Sequence, residues 1–341
     1  MAVVACGFGN MYNKSKKTRS LALVCIAAAL LAIPLPVLAA YSTVPQNHST
    51  TIPVGNSPWA AAFDPTNNEV YVTNSGGSSV SVINTSSNEV ITTITVGSGP
   101  QEIAYDSANT LLYVANNQSN SVSVISGSSN TVVTTITGLR PGPLGVTFDS
   151  TNGMIYVTNN RDWGVTVING TSNEIVTSIS LPISVHPWSL AVDLKTKILY
   201  VADDASSNVY LINTKTNTLL KTVIKVGNSP WAFAYTPKSG DMYVSNNGAL
   251  TASVINGATN KVIKTIKGLD YPYGVVYDAA NKIVYMTNTG SNTVSGISTK
   301  TNKVVSTYST GNSPWQLTLD TSNGNLYVCN LLDNTVSVIQ V

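Results

Sequence analysis

The tetrapeptide Tyr-Val-Thr-Asn at residues 71–74 recurs six more times at nearly constant spacing, and this period constrains the fold more than any other feature. The copies vary slightly in their last three letters, and successive copies begin 42–44 residues apart, at Tyr71, Tyr113, Tyr156, Tyr200, Tyr243, Tyr285 and Tyr327. A fixed period of roughly 20–50 residues is the signature of a repeat architecture. The chain is therefore expected to consist of seven copies of one structural unit.

Each unit is predicted to contain four β-strands. In the first unit, short runs rich in β-branched and aromatic residues alternate with turns of Asn, Asp, Ser and Gly; the runs cover residues 58–63, 69–73, 79–83 and 89–96. Such runs, bounded by turn residues, are typical of strands. Four strands per repeat of this length predict an all-β, WD40-like fold, a seven-bladed β-propeller of four-stranded antiparallel blades.

The two ends of the repeat region predict how the ring closes. The last repeat ends at Val341, after its third strand, whereas residues 49–54 resemble the fourth strands of the other repeats. We therefore expect the N-terminal strand to complete the seventh blade. Pro53 is compatible with this position, because an outermost strand has one unpaired edge.

The first forty residues differ from the repeats and predict export. Four basic residues between positions 14 and 19 precede an apolar run at 21–33 and a small-residue end, with Val37 and Ala39 at the −3 and −1 positions. This pattern is typical of a signal peptide; an uncleaved anchor over residues 21–40 is the alternative. The predicted organisation is a leader at 1–40 and a propeller at 41–341, in a monomer that is secreted or held at the cell surface and contacts the membrane only through this segment.

The repeats resemble the YVTN-repeat β-propeller family. The resemblance covers residues 50–341 and includes the Asn-Ser-Pro-Trp segments at 56–59, 228–231 and 312–315, and the Ser-Val-x-Val-Ile third strand. It implies a surface or exported scaffold, distantly similar to lactonase and streptogramin-lyase propellers and to the propeller of nitrous oxide reductase. No catalytic set or histidine-rich copper pattern of those relatives is present, so no catalytic residue, metal site or cofactor is predicted.

Four tryptophans share one position at the start of the first strand: Trp59, Trp188, Trp231 and Trp315. Two interpretations stay open at this point. The rings could form an aromatic collar around the channel mouth that stacks on a sugar or another ring, or they could pack between blades as part of the core.

Departures from the repeat mark a second candidate site on blades three and four. The loops before the first strand and after the second strand of a blade are expected on one face, and unusual residues occupy both: Arg140, Arg161, Asp162, Trp163, His186, Asp203 and Asp204. Arginine recognises carboxylates or phosphates, and histidine beside a carboxylate can act as a base. The alternative is a set of surface pairs that contribute little. Residues at equivalent positions of other blades could line the same mouth: Glu102, Asp270, Tyr271 and Tyr273.

Charge is distributed unevenly along the propeller. Residues 41–190 contain two basic and eight acidic residues, a net charge of −6, whereas residues 191–341 contain twelve and eight, a net charge of +4. Most lysines of the second half fall on predicted outer strands and the turns before them. They could form a patch for an anionic wall polymer or a neighbouring copy, or they could discourage pairing of exposed strand edges.

These features predict an exported, non-enzymatic scaffold that binds a cell-envelope component, a glycan or a protein. The alternative is a lactonase- or lyase-like enzyme using the blade three and four residues. Nucleic-acid binding is not predicted, because the mature chain has no positive net charge and its aromatic residues are not interleaved with basic ones.

Overall fold

A computed structural model describes residues 50–341, which form 28 β-strands in seven four-stranded sheets and a single three-residue 3-10 helix, Asn247–Ala249. All strand pairs within the sheets are antiparallel, and the first strands of neighbouring sheets contact one another around the ring. The predicted seven-bladed propeller is confirmed. The predicted leader, residues 1–40, lies outside the described residues.

Blades 1–6 each use four consecutive strands. Blade 1 contains β2–β5 (Pro58–Asp64, Glu69–Asn74, Ser79–Asn84, Glu89–Thr95), and blade 2 contains β6–β9 (Pro100–Asp106, Leu111–Asn116, Ser121–Ser126, Thr131–Ile136). Blade 3 contains β10–β13 (Pro143–Asp149, Met154–Asn159, Gly164–Asn169, Glu174–Ser180), and blade 4 contains β14–β17 (Pro187–Asp193, Ile198–Asp203, Asn208–Asn213, Thr218–Lys225). Blade 5 contains β18–β21 (Pro230–Thr236, Asp241–Asn246, Thr251–Asn256, Lys261–Ile266), and blade 6 contains β22–β25 (Pro272–Asp278, Ile283–Asn288, Thr293–Ser298, Lys303–Ser309).

Blade 7 joins the two ends of the described chain. Its strands are β26 (Pro314–Leu319), β27 (Asn325–Asn330), β28 (Thr335–Gln340) and β1 (Thr50–Pro53). Strand β1 pairs with β28 in antiparallel register, and Ile52 is buried in a cluster with side chains of blades 7 and 1. The predicted closure by the N-terminal strand is therefore present.

The core lies between blades, because the second strand of each blade is covered on both faces. In β11, the side chains from Ile155 to Asn159 are all buried, and Tyr156 packs in one cluster with Leu190 and Leu199 of blade 4. The outer strands instead alternate between partly buried and exposed positions, as β5 does. This difference follows from position, since neighbouring blades contact one another mainly through their inner strands and much less through their outer ones.

The tyrosine of each repeat ties its blade to the next one. The Tyr113 hydroxyl donates to Asn173 Oδ1 at 2.6 Å and to the Gly170 carbonyl at 3.0 Å, both in the outer turn of blade 3. Six blades make this Tyr–Asn bond: Tyr71–Asn130, Tyr113–Asn173, Tyr156–Asn217, Tyr200–Asn260, Tyr243–Asn302 and Tyr327–Asn88. Tyr285 makes no such bond within residues 50–341, since the outer strand of blade 7 is β1 rather than one arm of a hairpin; its side chain instead bonds and packs against Tyr308.

The asparagine that ends the tetrapeptide bonds the third strand of its own blade through its side chain. The Asn74 amide is buried and donates to the hydroxyls of Ser79 and Ser81 in the third strand, at 3.1 and 2.9 Å. Gly55 lies directly against it, where a Cβ atom would come within 2.5 Å of the amide. The asparagine of the tetrapeptide, the third-strand serines and this glycine thus form one buried contact within the blade.

Within residues 50–341, no helix has the length and apolar character needed to cross a bilayer.

Candidate functional site

Two loops of each blade lie together on one face of the propeller, which we call the axial face. The loop before the first strand and the loop after the second strand are joined by backbone hydrogen bonds, from Ser75 N to the Ser57 carbonyl in blade 1 and from Asn160 N to the Gly142 carbonyl in blade 3. This confirms the geometric expectation that placed the departures of blades 3 and 4 on one face.

A bulge shapes the start of every first strand. In blade 1 the ladder between β2 and β3 shifts register between Pro58 and Ala61, and all seven blades show the same shift at the same place. An extra residue bends a strand and changes the direction of its side chains. The bulge therefore turns the residue after each proline toward the axis.

A hydroxyl bridge fixes this bulge to the next blade. The Thr158 hydroxyl accepts from Gly145 N at 2.8 Å and donates to the Trp188 carbonyl of blade 4 at 2.6 Å. Blades 1, 5 and 6 make the same bridge through Thr73, Ser245 and Thr287. In these four blades the third residue of the tetrapeptide therefore links its blade to the next one.

Five aromatic rings meet at the axis, and we call them the aromatic cluster: Trp59, Trp188, Trp231, Tyr273 and Trp315. Rings on neighbouring blades are close, with centroids 4.0 Å apart for Trp59–Trp315 and 4.5 Å for Trp188–Trp231. Rings also meet between non-neighbouring blades, since the Trp59 and Trp188 centroids are 6.5 Å apart. The cluster therefore reaches across the axis.

The aromatic cluster combines features of both interpretations left open by the sequence. Its rings pack on one another, as core residues do, yet all four tryptophans remain partly exposed. The buried Trp231 Nε1 has no acceptor within residues 50–341. The cluster is thus a packed aromatic surface. Tyr273 belongs to it because it also follows a proline, a signal available in the sequence.

Blades 2 and 3 interrupt the cluster. The residue after the first-strand proline is Gln101 in blade 2 and Leu144 in blade 3, so the rings form an arc over blades 4, 5, 6, 7 and 1. The face is consequently asymmetric, and its non-aromatic side lies at the blade that carries both arginines.

Glu102 is a buried carboxylate next to this interruption. Its side chain is 7% exposed, and its oxygens accept from Gln316 Nε2 of blade 7 at 3.2 Å and from Val146 N of blade 3 at 3.3 Å. Burial raises the pKa of Glu102 to about 7, against opposing hydrogen bonds that include one from Ser189. No cation pairs with it among residues 50–341. Glu102 is therefore a carboxyl group at the centre of the ring whose pKa lies near neutral pH.

The arginines of blade 3 have separate partners. Arg140 Nε forms an ion pair with Asp162 at 3.3 Å, and Arg140 Nη2 donates to Ser180 Oγ at 3.1 Å. Arg161 Nη2 instead donates to Asn117 Oδ1 of blade 2 at 2.8 Å. Trp163, between these groups and the third strand, has 37% of its side-chain surface exposed and a left-handed backbone φ of 46°.

The charged residues of blade 4 form their own group. His186 Nδ1 lies 3.9 Å from Asp204 Oδ1, and His186 N donates to Asp203 Oδ1 at 3.0 Å. Burial raises the pKa of Asp204, and the neighbouring His186 opposes that shift. No hydrogen bond or ion pair links this group to Arg140 or Arg161 in the described part of the chain, and no cluster of His, Cys, Asp and Glu there has a metal-binding arrangement. The structure thus keeps the blade 3 and blade 4 residues as two adjacent groups.

Comparison with known proteins matches this geometry to a family model. The model of the YNCE-like beta-propeller covers residues 22–341. The chain belongs to this family. The match agrees with the resemblance drawn from the tetrapeptide repeats, and no curated protein matches the chain.

Solved structures similar to this YNCE-like propeller share its fold. The hydrazine synthase of Kuenenia stuttgartiensis has 21% identity and a TM-score of 0.74, over 84% of this chain and 96% of that one. The WD40 β-propeller domain of Doa1 has 13% identity and a TM-score of 0.70, over 85% and 95% of the two chains. At these identities the likeness concerns the propeller architecture alone.

Proposed function

We propose that this YNCE-like propeller is a non-enzymatic binding scaffold that acts outside the cytoplasm and holds a glycan on its axial face. The aromatic cluster is the observation that carries the proposal. Four partly exposed tryptophans on one face form a platform of a kind that stacks on the apolar side of a sugar ring.

The polar groups around the cluster support a sugar rather than a purely apolar ligand. Gln101 and the partly exposed Arg140 and Asp162 lie on the axial face at blades 2 and 3, and the Arg140 guanidinium reaches Ser180 at the end of the outer strand, so these groups can hydrogen-bond hydroxyls of a glycan that extends outward from the cluster. Ligand sites generally combine an aromatic surface with a few polar groups that fix orientation.

Export is the second part of the proposal and rests on the N-terminal pattern. Basic residues followed by an apolar run and Val37-Leu38-Ala39 are typical of a secretory leader. Fractionation of cells producing the full chain, followed by sequencing of the mature N-terminus, tests this part. A mature chain beginning near residue 40 in the extracytoplasmic fraction is expected, and full-length protein confined to the cytoplasm would contradict it.

The enzymatic alternative receives no specific support from the site. A lactonase- or lyase-like reaction at blades 3 and 4 needs groups that act on the same atoms, whereas the Arg140–Asp162 pair and the His186–Asp204 pair are separate. We therefore favour binding.

Glycan-array screening followed by tryptophan-fluorescence titration with the best oligosaccharide tests the binding proposal. The variant Trp188→Leu introduces the residue that blade 3 has at this position, Leu144, and is expected to weaken binding about tenfold, the loss of about 1.4 kcal/mol of stacking. The matched control is Trp163→Leu, which removes an exposed tryptophan of the same face outside the cluster and should change affinity less than about twofold. Loss of binding in the control alone, or no glycan bound by the wild type, would contradict the proposal.

A further inference from the structure

We propose that a groove on the outer rim, between blades 5 and 6, binds an acidic polysaccharide. This groove is distinct from the axial face, and its ligand is anchored by charge rather than by stacking. It has a volume of about 360 Å³ and is lined by Lys264, Thr265, Ile266, Lys267, Asn302, Lys303 and Val304. The three lysines are all exposed.

The repeats provide an internal control for these lysines. Lys264 lies within β21 and Lys267 directly follows it, and they occupy the positions of Thr92 and Thr95 in β5 of blade 1. The same positions hold Thr134 and Thr137 in blade 2, and Thr177 and Ser180 in blade 3. The scaffold therefore does not need lysine there.

The same comparison argues against protection of the strand edge as the reason for the lysines. Strands β5, β9 and β13 have the same open outer edge as β21, yet none of them contains a lysine. Strand β9 contains no charged residue at all. If lysine were required to block edge pairing, all outer strands would require it. The lysines are confined to blades 4–6, which points to a local role.

A second groove shows what the rim looks like without this charge. It lies between blades 1 and 2, has a volume of about 440 Å³, and is lined by hydroxyl-bearing, small and apolar residues without a charged side chain. Grooves between neighbouring blades at the rim thus arise from the shape of the fold. The groove between blades 5 and 6 differs from this one in its lysines and in being lined by the outer turn, rather than the third strand, of the second blade.

The groove lysines have no acidic partner within the described residues. The ion pairs of residues 50–341 are Arg140–Asp162 and His186–Asp204, both on the axial face. Further exposed lysines extend the positive charge along the rim of blades 4–6: Lys215, Lys221, Lys225, Lys261 and Lys300. A row of unpaired cations of this kind attracts a polyanion.

The lining favours a sugar polymer over a nucleic acid. No aromatic side chain lines the groove, so unpaired bases would have no surface on which to stack. Thr265 and Asn302 supply a hydroxyl and an amide that can bond sugar hydroxyls; Asn302 Oδ1 accepts from Tyr243, which leaves its amide nitrogen without a partner in the described chain. The ligand class is therefore a carboxylated or sulfated polysaccharide.

Binding of the full chain to two probes tests the proposal and distinguishes the two chemistries. Polygalacturonate carries only carboxylates and dextran sulfate carries only sulfates; at least one should bind at about 50 mM salt and dissociate by about 500 mM, because exposed charges are screened. The tighter probe identifies the anionic group.

A pair of matched triple variants locates the site. Lys264→Thr, Lys267→Thr and Lys303→Thr together introduce the residues found at these positions in blade 2, Thr134, Thr137 and Thr131, and should weaken binding about tenfold. The control replaces Lys195, Lys238 and Lys282, in the turns between first and second strands, by threonine; it removes the same charge and should change affinity less than about twofold.

Three results would overturn the proposal: neither polysaccharide binds, the two triple variants lose affinity equally, or single-stranded DNA binds more tightly than both polysaccharides. Glycan binding at the aromatic cluster is measured separately with Trp188→Leu. If one of the two sites does not bind its ligand, the experiment on the other site can still be interpreted.

Discussion

Glu102 shows how one residue can depart from its repeat without disturbing the scaffold. The equivalent residues in other first strands are small or neutral, among them Ala60, Gly145 and Ala232. Glu102 is buried there with neutral hydrogen-bond donors from blades 3 and 7, and burial raises its pKa from 4.5 to about 7. A folded state that prefers the protonated carboxyl must lose stability when the pH favours ionisation.

The pH dependence of stability tests this account of Glu102. The unfolded chain releases the proton near pH 4.5 and the folded chain near pH 7, so the free energy of unfolding should fall across this range, by on the order of 3 kcal/mol. The variant Glu102→Gln has no carboxyl group at this position, so its free energy of unfolding should not show this decrease. It should therefore be more stable than wild type at pH 8. Urea denaturation from pH 4.5 to pH 8 measures both proteins; parallel curves would refute the buried-carboxylate explanation.

A second test at the residue scale uses the tyrosines. Tyr113→Phe removes the hydroxyl that bonds Asn173 and Gly170 and should cost about 1–3 kcal/mol, because buried acceptors lose their donor. Tyr285→Phe is the matched control, since the Tyr285 side chain bonds Tyr308 of its own blade rather than an outer-turn asparagine of the next blade within residues 50–341, and it should cost less. Urea midpoints rank the two variants, and equal losses would show that the inter-blade bond contributes little.

At the scale of the element, the first strand of each blade is defined by its bulge and by the hydroxyl that holds it. Blades 1, 3, 5 and 6 use a threonine or serine to bond their own bulge and the next blade, whereas blades 2, 4 and 7 have Ala115, Ala202 and Cys329 at that position. The two groups of blades show that the bulge forms without the bridge. The hydroxyl is therefore expected to stabilise the contact between blades rather than to create the strand.

Substitution of Thr158 measures the value of the bridge. Thr158→Val keeps the shape but leaves Gly145 N and the Trp188 carbonyl without their partner, and should lower the free energy of unfolding by about 1–3 kcal/mol. Thr158→Ser restores the hydroxyl, as Ser245 does in blade 5, and should recover most of the loss. If serine and valine behave alike, volume rather than hydrogen bonding explains the position.

The sequence predicts the strands well and the contacts between side chains less well. Alternation and turn residues placed Pro58–Asp64 and its counterparts correctly, because these signals are local. The partners of Asn74 do not follow from local sequence, since Ser79 and Ser81 come close to it only after the second and third strands pair. The meeting of Trp59 with Trp188 likewise depends on ring closure, which brings together residues from blades that are not neighbours.

At the scale of the whole molecule, the pairing of strand β1 with β28 joins the first and last of seven similar sheets into one ring. Six blades are continuous in sequence, and the seventh is assembled from β26–β28 and β1. The seam has a visible consequence, because Tyr285 lacks the outer-turn partner that the other six tyrosines have. Ile52 fills the cluster that joins blades 7 and 1, so a short strand of four residues links the first and last repeats.

Thermal unfolding of two N-terminal deletions tests this closure most directly. A chain that begins at Thr50 keeps β1 and should have the same Tm as the chain beginning at residue 41. A chain that begins at Gly55 loses the pairing with β28 and the burial of Ile52, and its Tm should fall by about 10 °C. An unchanged Tm in the Gly55 chain would contradict the claim that the N-terminal strand holds the ring closed.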